Sequence, residues 1–396
     1  MGNKNILILT SLYPSTDIKV INGTSVCHYF AKEWKKQGHN VKVVYNYNNY
    51  PRILYPFLKL GKRWLETNSD DAVLTDRLST SICYNIEGID VFRIPIYKRP
   101  KSSFSKKILT QQFQTIVEFL ESINFKPDLV LGHFIHPNLE LSVMLGEYYK
   151  AISSVTLHGQ ILNYSDEDRL WFDRLSKIGF RSEPIRLSFE RFYGVTTKGF
   201  HCPSGVPSSY IIDNHKDFNN DILSCLYVGN LMKRKHPVTL IKALVNMADK
   251  TKYTLTYVGS GGESAEINKI MVRHDLNNVY LEGRISREKV VEEMDKAKCF
   301  IMLSERETFG LVYLEAMARG CIVIASRNEG MEGIIKDGEN GFLCEAGNEN
   351  ELAQVLLNIS SMSTFEKIRI SSNALKTANL YTDQRVASNY LRAVMD

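Results

Sequence analysis

The chain has 396 residues, 44% of them hydrophobic, which is enough to bury a large core in two domains and excludes disorder as the default. A net charge of +5 and a pI near 8.6 are too mild and dispersed for a dedicated nucleic-acid binder, yet they suit contact with acidic ligands or an anionic membrane. Seven cysteines stand singly without a C-x-x-C pair and read as small core residues of a protein in a reducing compartment.

In chain order, "MGNKNILILTSLYP" reads as a first buried strand rather than an export signal, because its apolar run is short and ends in a turn. A helical pattern follows from Thr24 to Lys36, and "GHNVKVVYNY" gives a helix-stopping glycine and then a strand. The βαβ rhythm returns in "KPDLVLGHF" (strand), Asn138 to Tyr149 (helix) and "ISSVTLHG" (strand). In the second half "ILSCLYVGN", "YTLTYVGSGG", "NVYLEGRI", "KCFIMLSE" and "CIVIAS" read as strands, with helices between them such as Val238 to Met247 and Glu288 to Lys296. "HCPSGVPSSYIIDNHKDFNND" has turn chemistry and marks a domain junction. The expectation is an α/β protein of two facing doubly wound, Rossmann-like domains with a central cleft. Residues 1–205 form the first and 206–379 the second, and a C-terminal helix over 380–396 packs back on the first. No segment approaches the roughly 20 apolar residues of a membrane-spanning helix.

Ligands of such sheets bind at the carboxyl ends of the strands, so chemistry is sought there. "KCFIMLS" is followed by the loop "ERETFG" and a helix beginning near Leu311. Side chains on a helix lean toward its N-terminus, so Glu315, one turn in, points back toward the loop that carries Glu307. The helix start between them favours an anion such as phosphate, while the carboxylates suit hydroxyls, at about 1.5–3 kcal/mol per charged hydrogen bond. A nucleotide sugar combines these features.

These residues carry a resemblance. "ETFGLVYLEAMARG", with "CIVIASRNEG" and "IIKDGENGFL" after it, resembles the E-x7-E signature and downstream segment of the retaining glycosyltransferases of family four, which have the GT-B fold. The resemblance implies that Glu307 contacts the donor sugar and Glu315 the nucleotide ribose, with Thr308, Phe309, Gly310 and Leu311 lining the donor site. "YVGNLMKRKHP" is similar to the family's glycine and basic loop; it puts Lys235 on the diphosphate, with Arg234, Gly229 and Arg284 in the donor set. Asn230 stands where arginine is usual. In "SRNEGMEGII", Glu329 and Gly330 are followed by Gly333 at the family's glutamate position, with Glu332 beside it. "VTLHGQ" places His158 as a positioning and charge-stabilising group, with His133 and His136 of "GHFIHP" as rivals, and "INGTS" offers Asn22, Gly23 and Thr24 as a phosphate or acceptor loop. Front-face attack with retention of configuration is the mechanism the family implies.

Two other classes compete: an isomerase like the nucleotide-sugar 2-epimerases, and a non-catalytic nucleotide-sugar binder. Asp166-Glu167-Asp168 matches the D-x-D metal signature of GT-A enzymes, but it sits in a loop rather than after a strand and reads as solvated acids, so neither metal nor other cofactor is expected. Implied partners are a UDP- or GDP-sugar and a glycan or lipid-linked acceptor, but no nucleic acid. Arg52, Lys59, Lys62, Arg63, Lys98, Arg99, Lys101, Lys106 and Lys107 interleave with aromatics as a membrane-surface segment would. The expected location is cytoplasmic, at the inner face of the plasma membrane, with a role in surface-polysaccharide assembly.

Overall fold

A computed structural model describes every residue except Met1, Lys19, Asn22, Arg63, 66–71, 99–103, His215, Asp221 and 248–251. The chain divides into two compact units, Met1–Pro203 with Val386–Asp396 and Ser204–Arg385. Asn22, Arg63, Arg99 and Lys101, singled out above, lie outside the described residues.

The first unit contains β1 (Asn5–Thr10), β2 (Val20–Ile21), β3 (Asn40–Asn49), β4 (Val73–Leu74), β5 (Ile82–Ile86), β6 (Ile89–Tyr97), β7 (Leu129–His133), β8 (Ile152–Leu157), β9 (Lys177–Phe180) and β10 (Gly199–His201). Eight of them form one sheet in the order β10-β9-β8-β7-β1-β3-β6-β5; β2 and β4 make a separate antiparallel ribbon. Ile6 to Leu9 of β1 are wholly buried, because a central parallel strand is covered on both faces and needs apolar side chains on each. Only the β5–β6 pair of the sheet is antiparallel. Its two-residue turn, Glu87-Gly88, has positive φ at both positions (47° and 81°), as a tight right-twisting hairpin requires. Cys83 lies on this edge strand and is exposed, whereas the other six cysteines are buried as the sequence suggests. The C-terminal helix is anchored here: Trp34 Nε1 donates to the Ala387 carbonyl at 2.9 Å, and the Tyr390 ring packs on Phe30 and Trp34.

The second unit is built from β11 (Leu223–Val228), β12 (Tyr253–Val258), β13 (Val279–Gly283), β14 (Cys299–Ile301), β15 (Ile322–Ser326) and β16 (Phe342–Cys344). They form one parallel sheet in the order β13-β12-β11-β14-β15-β16. The order reverses between β11 and β14, as it does between β1 and β7 in the first unit. Such switch points open a crevice at the carboxyl ends of the two strands. In the first unit β7 ends there at His133; in the second, Gly229-Asn230 and the loop from Ser304 to Gly310 follow β11 and β14.

Candidate functional site

The loop after β14 is held by its own helix. Gly310 caps the helix Leu311–Ala318 with φ +81°, a left-handed conformation, and a Cβ there would lie 2.4 Å from the Tyr313 ring. Glycine is therefore required twice over, by dihedral and by space. Tyr313 Oη donates to the Met302 carbonyl at 2.7 Å and ties the helix to the end of β14. Gly310 has no side chain with which to cap this helix start, an electropositive amide terminus at the switch point.

Glu307 and Glu315 meet different surroundings. The Glu307 amide donates to Glu329 Oε2 at 2.8 Å, while Oε2 of Glu307 itself is buried without a hydrogen-bond partner among the described residues. Gly330 permits this buttress: a Cβ on it would come within 2.6 Å of the Phe309 backbone. Burial raises the Glu329 carboxyl above its ordinary range, as do Glu307 and Glu305, against the N–H groups of Arg306 and Glu307 that favour its charge. Glu332 turns away, accepting from its own Asn328 amide at 2.7 Å. Glu315 is 2% exposed and paired with Arg287, whose Nε donates to Tyr210 Oη at 3.0 Å. Burial pushes the Glu315 carboxyl up and the Arg287 guanidinium pulls it back.

The basic loop divides its labour. Lys233–Lys235 form a 3-10 turn that leads through His236, in the left-handed region, into the helix Pro237–Val245. The Lys235 ammonium overlies Gly229: a Cβ built on that glycine would be 3.7 Å from Nζ. Arg234 instead braces the neighbouring loop, donating to the Glu305 carbonyl at 2.9 Å and Ser304 Oγ at 3.3 Å, while its own carbonyl accepts from the Glu305 amide. Arg284 reaches across from the end of β13 to Ser260 Oγ at 3.0 Å and Asn230 Oδ1 at 3.1 Å. The second unit thus gathers Glu307, Glu315, Lys235, Arg234, Asn230, Arg284 and the 308–311 turn at the ends of its strands.

In the first unit His158 follows β8, half-buried, its ring stacked on Phe134 with centroids 4.1 Å apart. Burial, then the Arg181 guanidinium and His133, hold its imidazole well below the usual range, so the ring is neutral. Thr24 Oγ1 accepts from the Val26 amide at 3.3 Å at the start of the helix Val26–Lys36, beside the exposed Gly23. Asp166, Glu167 and Asp168 form the first turn of the helix Asp166–Arg174, capped by Ser165.

Asp168 faces His136, which also lies 2.8 Å from Glu140. Burial opposes charge on His136, but the Asp168 and Glu140 carboxylates outweigh it and raise the imidazole to about 10. Its charged form is favoured in the folded chain, so the stability it adds is complete below the ordinary value of 6.5 and is lost as pH rises through about 10. The melting temperature should therefore fall over that interval by more in the native chain than in His136→Gln, and equal falls in the two would remove the charge from His136.

Sequence reasoning missed Arg287 and Tyr210, and gave Glu329 no definite role. Glu329 had a signal, a carboxylate beside a glycine in "NEGMEG"; Arg287 had none, since one arginine in "GRISRE" looks like the next.

Residues 211–376 match the family described as glycosyl transferases group 1, so the second unit carries such a domain. An uncharacterized glycosyltransferase of Methanocaldococcus jannaschii is 28% identical over 247 residues, 61% of this chain and 67% of that protein. Poly(glycerol-phosphate) alpha-glucosyltransferase of Bacillus subtilis is 30% identical over 382 residues, which are 92% of this chain but only 53% of that protein, about half its length. Among solved structures, a glycosyltransferase from Rickettsia africae superposes with a TM-score of 0.71 at 17% identity, over 100% of this chain and 98% of that one. An Anabaena protein solved in complex with UDP does so at 0.68 and 17%, over 99% of each. At these identities the likeness shows the fold, which is GT-B, with two Rossmann-like domains.

Proposed function

We propose that this chain is a group 1 glycosyltransferase that moves a sugar, with retention of configuration and without a metal, from a UDP- or GDP-sugar to a glycan or lipid-linked acceptor. One observation carries the reading: a buried carboxylate oxygen of Glu307, without a partner among the described residues, stands beside a helix start with glycine at its cap and the Lys235 loop. Buried polar atoms are nearly always satisfied, so an orphan at a switch point is a place for a ligand's donor, here a sugar hydroxyl. Glu315 takes the ribose hydroxyls. Lys235 and the helix amides receive the diphosphate, with Arg284 and Asn230 beside them.

In the transfer the bond from the anomeric carbon to the phosphate oxygen breaks while the acceptor oxygen bonds the same face of that carbon. The acceptor proton passes to the departing phosphate. The leaving charge is the quantity the second unit stabilises, and His158 keeps the charge-stabilising role that the family resemblance implies. A UDP-bound fold neighbour and a glucosyltransferase relative support this reading. The test is a melting-temperature screen of UDP, GDP and their sugars, since a ligand held only by the native state raises stability by about 2.7 kcal/mol at a hundred times its Kd. A shift with one nucleotide and turnover in EDTA are expected. No shift with any nucleotide, or loss of turnover in EDTA reversed by manganese, would overturn the reading.

The acceptor side bears on location. Ile53, Phe57, Leu60 and Trp64 are 73, 68, 85 and 64% exposed and recur every three or four residues along one stripe, including the helix Leu54–Leu60. Arg52, Lys59 and Lys62 flank it, and Lys106 and Lys107 are exposed at the start of the helix Lys106–Ser122. No helix among the described residues is long and apolar enough to cross a membrane. The stripe fits an anionic lipid surface, with the aromatics inserted and the lysines at the headgroups. The chain should co-sediment with phosphatidylserine vesicles at low salt and release at high salt, and serine at Phe57 or Trp64 should weaken binding about tenfold. Equal binding to neutral and anionic vesicles would end the idea. By this reading the enzyme works in surface-polysaccharide assembly at the inner face of the plasma membrane.

A further inference from the structure

His133, at the carboxyl end of β7, is fully buried, and its Nδ1 lies 3.1 Å from Nε2 of His158 on the adjacent strand end. The other ring nitrogen of His133, Nε2, is sealed from solvent and has no hydrogen-bond partner among the described residues. Burial, reinforced by the Arg181 guanidinium, drives His133 down to about 3 and depresses His158 as well, so two neutral rings share one hydrogen bond.

Two arrangements of the proton are possible. If His158 Nε2–H donated, neutral His133 would carry its own proton on Nε2, leaving a buried N–H with no acceptor. If His133 Nδ1–H donates, the orphan is only a bare lone pair. Orphaned buried N–H groups are the rarer and costlier case, so the second arrangement prevails. The tautomer of an imidazole is set by the hydrogen bond at its other nitrogen. We propose that His133 is a positioning residue that fixes His158 as its Nδ1–H tautomer, which makes Nδ1 of His158 a hydrogen-bond donor and not a base.

The setting holds His133 in place for this. Asn138 Nδ2 donates to the His133 carbonyl at 2.7 Å; Asn138 Oδ1 accepts from Asn46, whose own Oδ1 accepts from Gln112, each at 2.8 Å. The imidazole stacks on Phe30 and Tyr390, both centroids 5.9 Å away. A donor at Nδ1 suits an oxygen of a sugar or a departing phosphate, and it agrees with a transfer in which phosphate takes the acceptor's proton. That consequence rests on the reading of His158 given above; the tautomer itself does not.

The experiment is imidazole 15N NMR on histidine-labelled protein, read without substrate. The native chain should show His158 protonated at Nδ1 and bare at Nε2. In His133→Asp, which puts an acceptor where the donor stood, His158 should switch to the Nε2–H form. In His133→Asn, whose amide can stand near the lost Nδ1–H, the Nδ1–H form should persist. Turnover should fall about tenfold in the aspartate variant, the worth of one hydrogen bond, and return within about threefold in the asparagine variant. An Nε2–H signal for His158 in the native chain overturns the proposal whatever the enzyme transfers. So does the same tautomer in both variants.

Discussion

Alanine in place of Glu307 is expected to cut turnover about 10²–10³-fold while leaving the melting temperature unchanged or higher. The two outcomes have one cause. A buried carboxylate oxygen without a partner among the described residues burdens the resting fold, and on the proposed function a sugar hydroxyl would relieve that burden only in the complex. Removing the carboxylate should therefore leave the fold no worse, because the loop is held by other bonds. Glu329 accepts from the 307 amide, which alanine retains, and Tyr313 ties the helix to Met302. The nucleotide's own stabilising shift should survive, since diphosphate and ribose are assigned to Lys235, the helix start and Glu315. Glutamine at 307 should behave like alanine in turnover, for it keeps the shape and loses the charge. Turnover within twofold of native, or a variant that fails to bind UDP and GDP alike, would take Glu307 out of the sugar site.

Much of this architecture was legible because parallel sheets write themselves into sequence. Each strand of the second unit is a short apolar run ending in glycine or a loop, and the helix after β14 begins at Leu311 where glycine and threonine gave way to "LVYLEAMA". Boundaries slipped by a residue or two: the helix expected from Val238 to Met247 runs Pro237–Val245, because proline at the first position needs no N–H partner. The β5–β6 hairpin went unread although Glu87-Gly88 sits at its turn, since only the glycine of that pair advertises a positive φ. What no pattern encodes is the choice of partner. Arg234 resembles a phosphate ligand in "KRK" but donates to the Glu305 carbonyl and Ser304 Oγ, and His133 looks like a strand-end residue until β8 brings His158 beside it. Partner choice is decided by strands far apart in sequence, so it waits for the fold.

Arg287→Met should destabilise the chain by about 3 kcal/mol at neutral pH, and the deficit should grow with pH. Glu315 is almost wholly buried, whereas the Arg287 side chain is 53% exposed, so the two partners are not equivalent. Removing Glu315 leaves a guanidinium that water can solvate; removing Arg287 leaves a carboxylate with nowhere to go. Burial already raises the Glu315 carboxyl and the Arg287 guanidinium pulls it down, so the variant's carboxyl should sit higher still. A group whose folded pKa lies above its unfolded value contributes fully below the unfolded one and loses that contribution as pH climbs through the folded one. The gap in melting temperature between native chain and Arg287→Met should therefore widen as pH rises above the ordinary carboxyl range. Glu315→Gln should cost about 1 kcal/mol or less, and adding it to Arg287→Met should recover most of the loss, because the double variant buries no unpaired charge. A gap independent of pH, or a double variant as unstable as Arg287→Met alone, would mean that Arg287 acts through its packing on Tyr210 and not through the charge it faces.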